Sequence, residues 1–438
     1  MTAPGLILAA PSSGCGKTVI TMALLRALHN SGVRIAAAKA GPDYIDPAFH
    51  GAACGRVCIN LDVWAMRSDT LAGLAGGLEE SADLVLCEGV MGLFDGASGG
   101  GGSTADLAAA TGWPVVLIIN AKGQGASVAA LAEGFIRHRR DIAIAGIICN
   151  RVGSAAHARI LREAFATLNP AVPLLGCLPA HAALTLPDRH LGLVQASEHS
   201  ALEPFLDTAG MFVREHLDLA ELQGVARQSR LPSTATPVSL PPPGQRIAVA
   251  RDQAFRFCYS AVLDGWRAAG AEVIPFSPLA DESPDAAADA VYLPGGYPEL
   301  HAGQLAGNAG FLGGLRLLAA KGAAVYGECG GYMVLGSGMI DADGVRHAMA
   351  GLLPVTTSFA DRRLQLGYRR LESLNASPLG RAGSRFTGHE FHYATIREEG
   401  PGDALFSVLD SRNDPLSPAG RVSGNIAGSF IHLIDSAA

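Results

Sequence analysis

Two short stretches of this chain join side chains able to do phosphoryl or acyl chemistry. The first, Pro11-Ser-Ser-Gly-Cys-Gly-Lys-Thr18, follows an apolar run over 6–10 and precedes a helix-like pattern over 19–29. A glycine-containing loop between strand and helix aims backbone N–H groups and a helix N-terminus at anionic oxygens. In that reading Ser13, Gly14, Cys15 and Gly16 line a phosphate loop, Lys17 reaches terminal phosphates and the Thr18 hydroxyl ligates Mg²⁺. Pro11 stands where the G-x-x-x-x-G-K-[ST] pattern has its first glycine, and the competing reading is an ordinary strand–helix turn.

The second stretch is Gly327-Glu-Cys329-Gly-Gly331, between the apolar run 323–326 and a helical pattern. G-x-C-x-G at a strand-to-helix turn is a nucleophile elbow: the glycines tolerate the bend that exposes the thiol, and the helix N-terminus aids the thiolate. A thiol nucleophile needs a base, and His432 ends the last apolar run in Gly428-Ser-Phe-Ile-His432. Taken singly, His432 reads equally well as a buried structural histidine. Gly295 and Gly296, in Pro294-Gly-Gly-Tyr-Pro-Glu299, offer backbone N–H groups for an oxyanion hole. Together these residues point to a Cys–His hydrolytic pair.

Carboxylates gather near the first stretch. Lys39-Ala-Gly-Pro-Asp43-Tyr44-Ile-Asp46-Pro follows one predicted strand and Glu88-Gly-Val-Met-Gly-Leu-Phe-Asp95-Gly another. Carboxylates at strand ends beside a phosphate loop suit Mg²⁺, a hard cation held by a few oxygens. Turn chemistry around Pro42 and Pro47 explains Asp43 and Asp46 equally well. Glu88, directly behind a continuous apolar strand, favours a metal or catalytic role. Asn150, at a strand end, is a candidate contact to a nucleotide base or a plain strand terminator. The Gly- and Ser-rich stretch 96–103 reads as a mobile lid or as a connector.

The elements that must position these residues alternate. Apolar runs over 6–10, 34–38, 84–87, 115–119, 143–149 and 174–177, separated by helical stretches, predict a parallel sheet with helices on both faces. Ligands then bind beyond the carboxyl ends of the strands, where the chemical residues fall. Residues 223–245 turn to Ser, Thr and Pro, a linker composition, and a second strand–helix series begins with runs at 246–250, 272–276, 290–293 and 323–326. With 438 residues the chain exceeds what a single core usually supports. The expected division is 1–222, the linker 223–245, and 246–438.

A net charge of −7 without basic blocks argues against nucleic acid as partner. Mean hydropathy is +0.25, yet no apolar run approaches the roughly 20 residues of a spanning helix, and no basic segment with an apolar core opens the chain. A cytoplasmic protein with no membrane partner is expected. The eight cysteines form no C-x-x-C pair, and Cys54 with Cys58 lacks the partners of a metal site.

The motifs SSGCGKT, KAGPDYIDP, EGVMGLFDG, ARDQAFRF, YLPGGYPEL, GECGGYMVLG, GHEFHYA and the final IHL together resemble the cobyrinic acid a,c-diamide synthase family over nearly the whole chain. The resemblance implies an α/β chain of two domains: an N-terminal P-loop synthetase domain like dethiobiotin synthetase, and a C-terminal flavodoxin-like class I glutamine amidotransferase domain. It implies ATP and Mg²⁺ as cofactors, a corrin and L-glutamine as substrates, and a homodimer as a candidate assembly. Lys17, Thr18, Lys39, Asp43, Tyr44, Asp46, Glu88 and Asp95 would then carry the synthetase site, with Cys329 as nucleophile and His432 as its base. The wider amidotransferase class has His-x-Glu where this chain has His432-Leu-Ile434, so the third triad carboxylate is missing, as it is in the cobyrinate branch. Amidotransferases acting on other tetrapyrroles, such as cobyric acid synthase and nickel-sirohydrochlorin diamide synthase, share most motifs. A partition-type P-loop ATPase would have no Cys329 domain.

Overall fold

A computed structural model describes residues 2–166, 172–181, 201–232 and 239–437. Two compact units emerge: Met1–Trp64 with Leu71–Gly96 and Gly101–Thr236, and Ala65–Thr70 with Ala97–Gly100 and Pro237–Ala438.

The first unit is built on seven parallel strands, β1 (Gly5–Ala9), β2 (Ile35–Ala40), β3 (Ile59–Leu61), β4 (Leu84–Glu88), β5 (Val115–Asn120), β6 (Ile144–Val152) and β7 (Leu174–Pro179). Their order is β3-β2-β4-β1-β5-β6-β7, with β1 near the centre. Every residue of β1, β2 and β4 is buried, as expected for strands covered on both faces. Parallel register sets Lys39 of β2 directly beside Glu88 of β4, and Leu8 of β1 on the other side of Glu88. The helix α1 (Lys17–Asn30) follows β1, starting from Gly16, and α2 (Asp46–Cys54) follows β2.

The second unit carries strands β8 (Arg246–Ala250), β9 (Glu272–Phe276), β10 (Ala290–Leu293), β11 (Ala324–Glu328), β12 (Gly338–Ile340), β13 (Arg346–Ala348), β14 (Val355–Ser358), β15 (Gln365–Ser373), β16 (Arg385–His392), β17 (Thr395–Glu399), β18 (Asp403–Leu409), β19 (Pro415–Ser423), β20 (Ile426–Ser429) and β21 (Ile431–Ser436). The parallel part of its large sheet runs β9-β8-β10-β11-β20, the 2-1-3-4-5 order of flavodoxin-like folds. Antiparallel strands β19, β18, β15, β16 and β21 extend it, and β12, β13, β14 and β17 form a separate sheet.

Three sequence expectations need correction. Residues 223–225 end a helix, Leu219–Val225, rather than opening a linker, and Arg227 exchanges backbone hydrogen bonds with Gly5. Residues 233–238 of the expected linker lie outside the described residues. The stretch 96–103 does not behave as one lid or connector. Ala97–Gly100 belongs to the second unit, where Ser98 Oγ meets Ser411 Oγ at 2.9 Å, while Ser103 caps the helix Thr104–Thr111 with Asp106 as its reciprocal partner. Ala65–Thr70 likewise belongs to the second unit, where the Arg67 guanidinium pairs with Asp435 at 2.9 Å. Finally, Asn150 lies inside β6, which continues to Val152.

Among the described residues, no helix is long and apolar enough to cross a membrane. All eight cysteines are free thiols.

Candidate active sites

In the first unit the loop after β1 reaches α1 through Gly16, whose φ of 93° is left-handed. A Cβ there would also lie 2.4 Å from Asn150 Nδ2, so only glycine fits. Asn150 donates from Nδ2 to the Cys15 carbonyl at 2.8 Å and accepts from the Arg151 N–H, so it braces the loop. Ser13 and Gly14 are exposed at the loop tip, and Cys15 is buried. Lys17 donates to the Met91 carbonyl at 2.5 Å. Burial lowers the Lys17 pKa, with Glu88 opposing and neighbouring Lys39 adding to the effect.

Thr18, Lys39, Asp46 and Glu88 converge. The Thr18 hydroxyl lies 2.8 Å from Glu88 Oε1 and 3.2 Å from Asp46 Oδ2. Lys39 Nζ is 2.6 Å from Asp46, 3.0 Å from Glu88 and 3.7 Å from Asp43. Burial pulls the Lys39 pKa down. Glu88, Asp46 and Asp43 outweigh it and hold the ammonium pKa well above its usual value. Burial likewise pushes the Asp46 carboxyl up to about 7, helped by Asp43 and Glu88 against Lys39 and His50. For Glu88 burial is overcome by Lys39, His50 and Thr18, which bring it down to about 2.

The structure separates residues that the sequence left together. Asp43 Oδ1 accepts the N–H groups of Ile45 and Asp46, at 2.8 and 3.1 Å, and so fixes the start of α2. That is turn chemistry. The Asp46 carboxylate instead enters the cluster. Asp95 is bound within its own loop, where Oδ2 accepts the Gly92 N–H at 3.0 Å, and Tyr44 is half-buried. Sequence reasoning missed His50, which is fully buried with Nε2 2.5 Å from Glu88 Oε2. Its signal was the i, i+4 spacing from Asp46, which puts both on one face of α2. A hydroxyl within hydrogen-bond reach of two carboxylates makes an all-oxygen donor set that fits Mg²⁺.

In the second unit Cys329 follows β11 at φ 47° and ψ −106°, an unfavourable conformation for a residue with a Cβ, as an elbow requires. Gly331 permits the bend, since a Cβ on it would lie 1.9 Å from the Leu293 carbonyl oxygen. Gly295 runs between the pair: a Cβ there would lie 2.3 Å from His432 Cε1, 3.1 Å from His432 Nε2 and 3.2 Å from Cys329 Cβ. The backbone N–H groups of Gly296 and Gly330 act on the Cys329 sulfur.

The expected helix-assisted thiolate is not what the geometry gives. The helix Gly330–Leu335 is only six residues long, and burial, aided by Glu299 and Glu328, pushes the Cys329 thiol up to about 12 despite those two N–H groups. Burial, with His389 and His392 nearby, brings His432 down to about 3. The resting pair is a neutral thiol beside a neutral imidazole. Of the arginines on β15, Arg369 is buried and pairs with Glu390 at 2.7 Å, whereas Arg370 is exposed.

Residues 6–194 match the CobQ/CobB/MinD/ParA nucleotide binding domain, and residues 246–438 the CobB/CobQ-like glutamine amidotransferase domain. Proteins named hydrogenobyrinate a,c-diamide synthase align with nearly the whole chain. That of Brucella anthropi is 53% identical, covering 98% of this chain and 98% of its own. The relative from Sinorhizobium sp is 52% identical over 99% of each chain, and that from Rhodobacter capsulatus 51% over 98% of each.

Proposed function

The chain belongs to the hydrogenobyrinate a,c-diamide synthase family, and from that membership we propose that it amidates the a and c carboxylates of a corrin, hydrogenobyrinic acid, in cobalamin biosynthesis, using ATP and glutamine. One observation carries the reading: a single chain holds both a charged, phosphate-type site and a buried thiol–imidazole pair. A ligase that generates its own ammonia needs both.

A carboxylate is a poor electrophile, and ATP converts it to an acyl phosphate. Lys17 and Lys39 offset charge on the transferring phosphoryl group. Thr18, Asp46 and Glu88 are the residues that would hold Mg²⁺, which neutralises phosphate charge when bound. His50 holds Glu88 in place.

Ammonia is mostly protonated at neutral pH and must be delivered as the free base. As Cys329 Sγ attacks the glutamine amide carbon, its proton passes to His432 and from there to the departing ammonia, leaving a glutamyl thioester that water hydrolyses. The N–H groups of Gly296 and Gly330, which act on the Cys329 sulfur, are the donors that would meet the developing oxyanion. Starting from a neutral pair, neither Cys329 nor His432 carries charge before glutamine arrives. The reading extends to a cytoplasmic homodimer, which light scattering of the purified protein tests.

The deciding experiment incubates the protein with ATP and glutamine and either hydrogenobyrinic or cobyrinic acid, and reads product mass. Two mass decrements of a hydroxyl-to-amide exchange on hydrogenobyrinic acid are expected. No conversion of either corrin contradicts the reading.

A further inference from the structure

His432-Leu433-Ile434 offers no carboxylate two positions after the histidine, so a group that orients the imidazole would have to come from elsewhere in the fold. Glu328 is buried at the end of β11, one residue before the nucleophile. Its Oε2 accepts the Tyr292 hydroxyl at 2.7 Å, and its Oε1 accepts the backbone N–H of Leu433, the residue after His432, at 3.1 Å. The same Oε2 lies 3.9 Å from His432 Nδ1. On the same ring Cε1 and Nε2 are the atoms against Gly295, which also lies against Cys329 Cβ.

Given the Cys329–His432 reading above, on which this rests, we propose that Glu328 is the positioning residue for His432, holding the imidazole with Nδ1 toward its own carboxylate so that Nε2 is the nitrogen that takes the Cys329 proton. Burying a carboxyl at a strand end is unfavourable without compensation, and here its partners are the two groups that fix the His432 segment and the carboxyl itself. When Nε2 receives the thiol proton, the imidazolium faces the carboxylate, and the charge pair lasts until the proton leaves with ammonia. No other reactant is needed. The long Nδ1 distance is ordinary for catalytic contacts that tighten on substrate binding. His389 and His392, both on β16, also lie near His432, but neither supplies a carboxylate, and His392 is already engaged with Glu390 and the Ala394 carbonyl.

Burial pushes the Glu328 carboxyl up to about 7, against the donors Tyr292, Leu433 N–H and Tyr326. The other titratable groups facing it are Cys258, Cys329 and His432. Glutamine hydrolysis is therefore expected to rise with pH through a step near 7.

The test compares Glu328→Gln and Glu328→Asp with the wild type for glutamine hydrolysis, and for corrin amidation driven by ammonium salt. Expected for Glu328→Gln is a fall in kcat of about a hundredfold with little change in glutamine KM, loss of the step near pH 7, and ammonium-driven amidation kept. Glu328→Asp should recover part of kcat. A Glu328→Gln kcat within twofold of wild type, or an intact pH step, overturns the inference. Should that variant fail to fold, Tyr292→Phe removes one donor to the carboxyl and should move the step to higher pH, and an unmoved step overturns the inference instead. The parallel Cys329→Ala variant separates the two levels: if it still hydrolyses glutamine, the underlying reading fails, whereas an inactive Cys329→Ala beside a fully active Glu328→Gln sinks only the role of Glu328.

Discussion

Lys39 in the first unit and His432 in the second are both buried, yet the one keeps its charge and the other loses it. The difference lies in the neighbours. Three carboxylates lie within 3.7 Å of Lys39, whereas Glu328, 3.9 Å from His432, is itself hard to ionise, and two histidines lie near His432. Phosphoryl transfer benefits from positive charge fixed before the substrate arrives, because a preorganised charge needs no reorganisation in the transition state. Acyl transfer from glutamine needs a base able to accept a proton, and a neutral imidazole is that base. Burial thus serves opposite ends in the two units, and the adjacent charged groups decide which: carboxylates beside Lys39, histidines beside His432.

The comparison breaks most sharply at Lys17. Lys17→Ala should lower corrin amidation by about a hundredfold or more with glutamine and with ammonium salt alike, while glutamine hydrolysis continues. Parallel loss of hydrolysis would mean that the two chemistries do not reside in separate units. Lys39→Ala tests the charge balance itself. It leaves Glu88 buried without its ammonium, and should reduce unfolding free energy by about 3–5 kcal/mol as well as activity. A variant as stable as wild type in urea titration would show that Lys39 is not the counter-charge.

Smaller effects should distinguish the two aspartates. Asp46→Asn is expected to cut turnover by about tenfold and to raise the Mg²⁺ concentration for half-maximal rate, with the melting temperature nearly unchanged. Asp43→Asn keeps an acceptor for the N–H groups of Ile45 and Asp46 and should leave the Mg²⁺ dependence alone, whereas Asp43→Ala should cost about 1 kcal/mol of stability. Equal Mg²⁺ shifts in both Asn variants would return Asp43 to the metal site.

The smallest effect concerns Glu299. Burial pushes its carboxyl up to about 8, from 4.5 when free. The folded protein therefore binds a proton there that the unfolded chain releases, and this contribution is full below about pH 4.5 and lost as pH rises through 8. Glu299→Gln should flatten the fall in melting temperature between pH 5 and 9, ending a few degrees above wild type at the alkaline end. Parallel curves would place the carboxyl in a more hydrated setting.

Much of this was legible in the sequence because it is local. The phosphate loop, the GECGG elbow and the apolar runs of the parallel strands each announce themselves within a few residues. Once β2 and β4 are parallel neighbours, their register alone pairs Lys39 with Glu88. Turn-forming and cluster-forming roles of Asp43 and Asp46 look the same in sequence, since either carboxylate fits either task beside a proline. Strands such as β15, with its Gln, Arg and Glu residues, fell below the apolar signal because one side of them is solvated. Glu328 was hidden inside the motif that names its neighbour. Ala65–Thr70 and Ala97–Gly100 join the second unit through contacts more than 300 residues away in sequence, such as Arg67 with Asp435, which no local pattern encodes.

The central claim, one chain with a nitrogen-releasing site and a separate amide-forming site, is tested most directly by Cys329→Ala assayed with ATP and a corrin under two nitrogen sources. The account predicts that amidation with glutamine disappears while amidation with high ammonium salt proceeds at close to the wild-type ammonium rate. A folded Cys329→Ala protein that still uses glutamine, or that fails with ammonium, would contradict it.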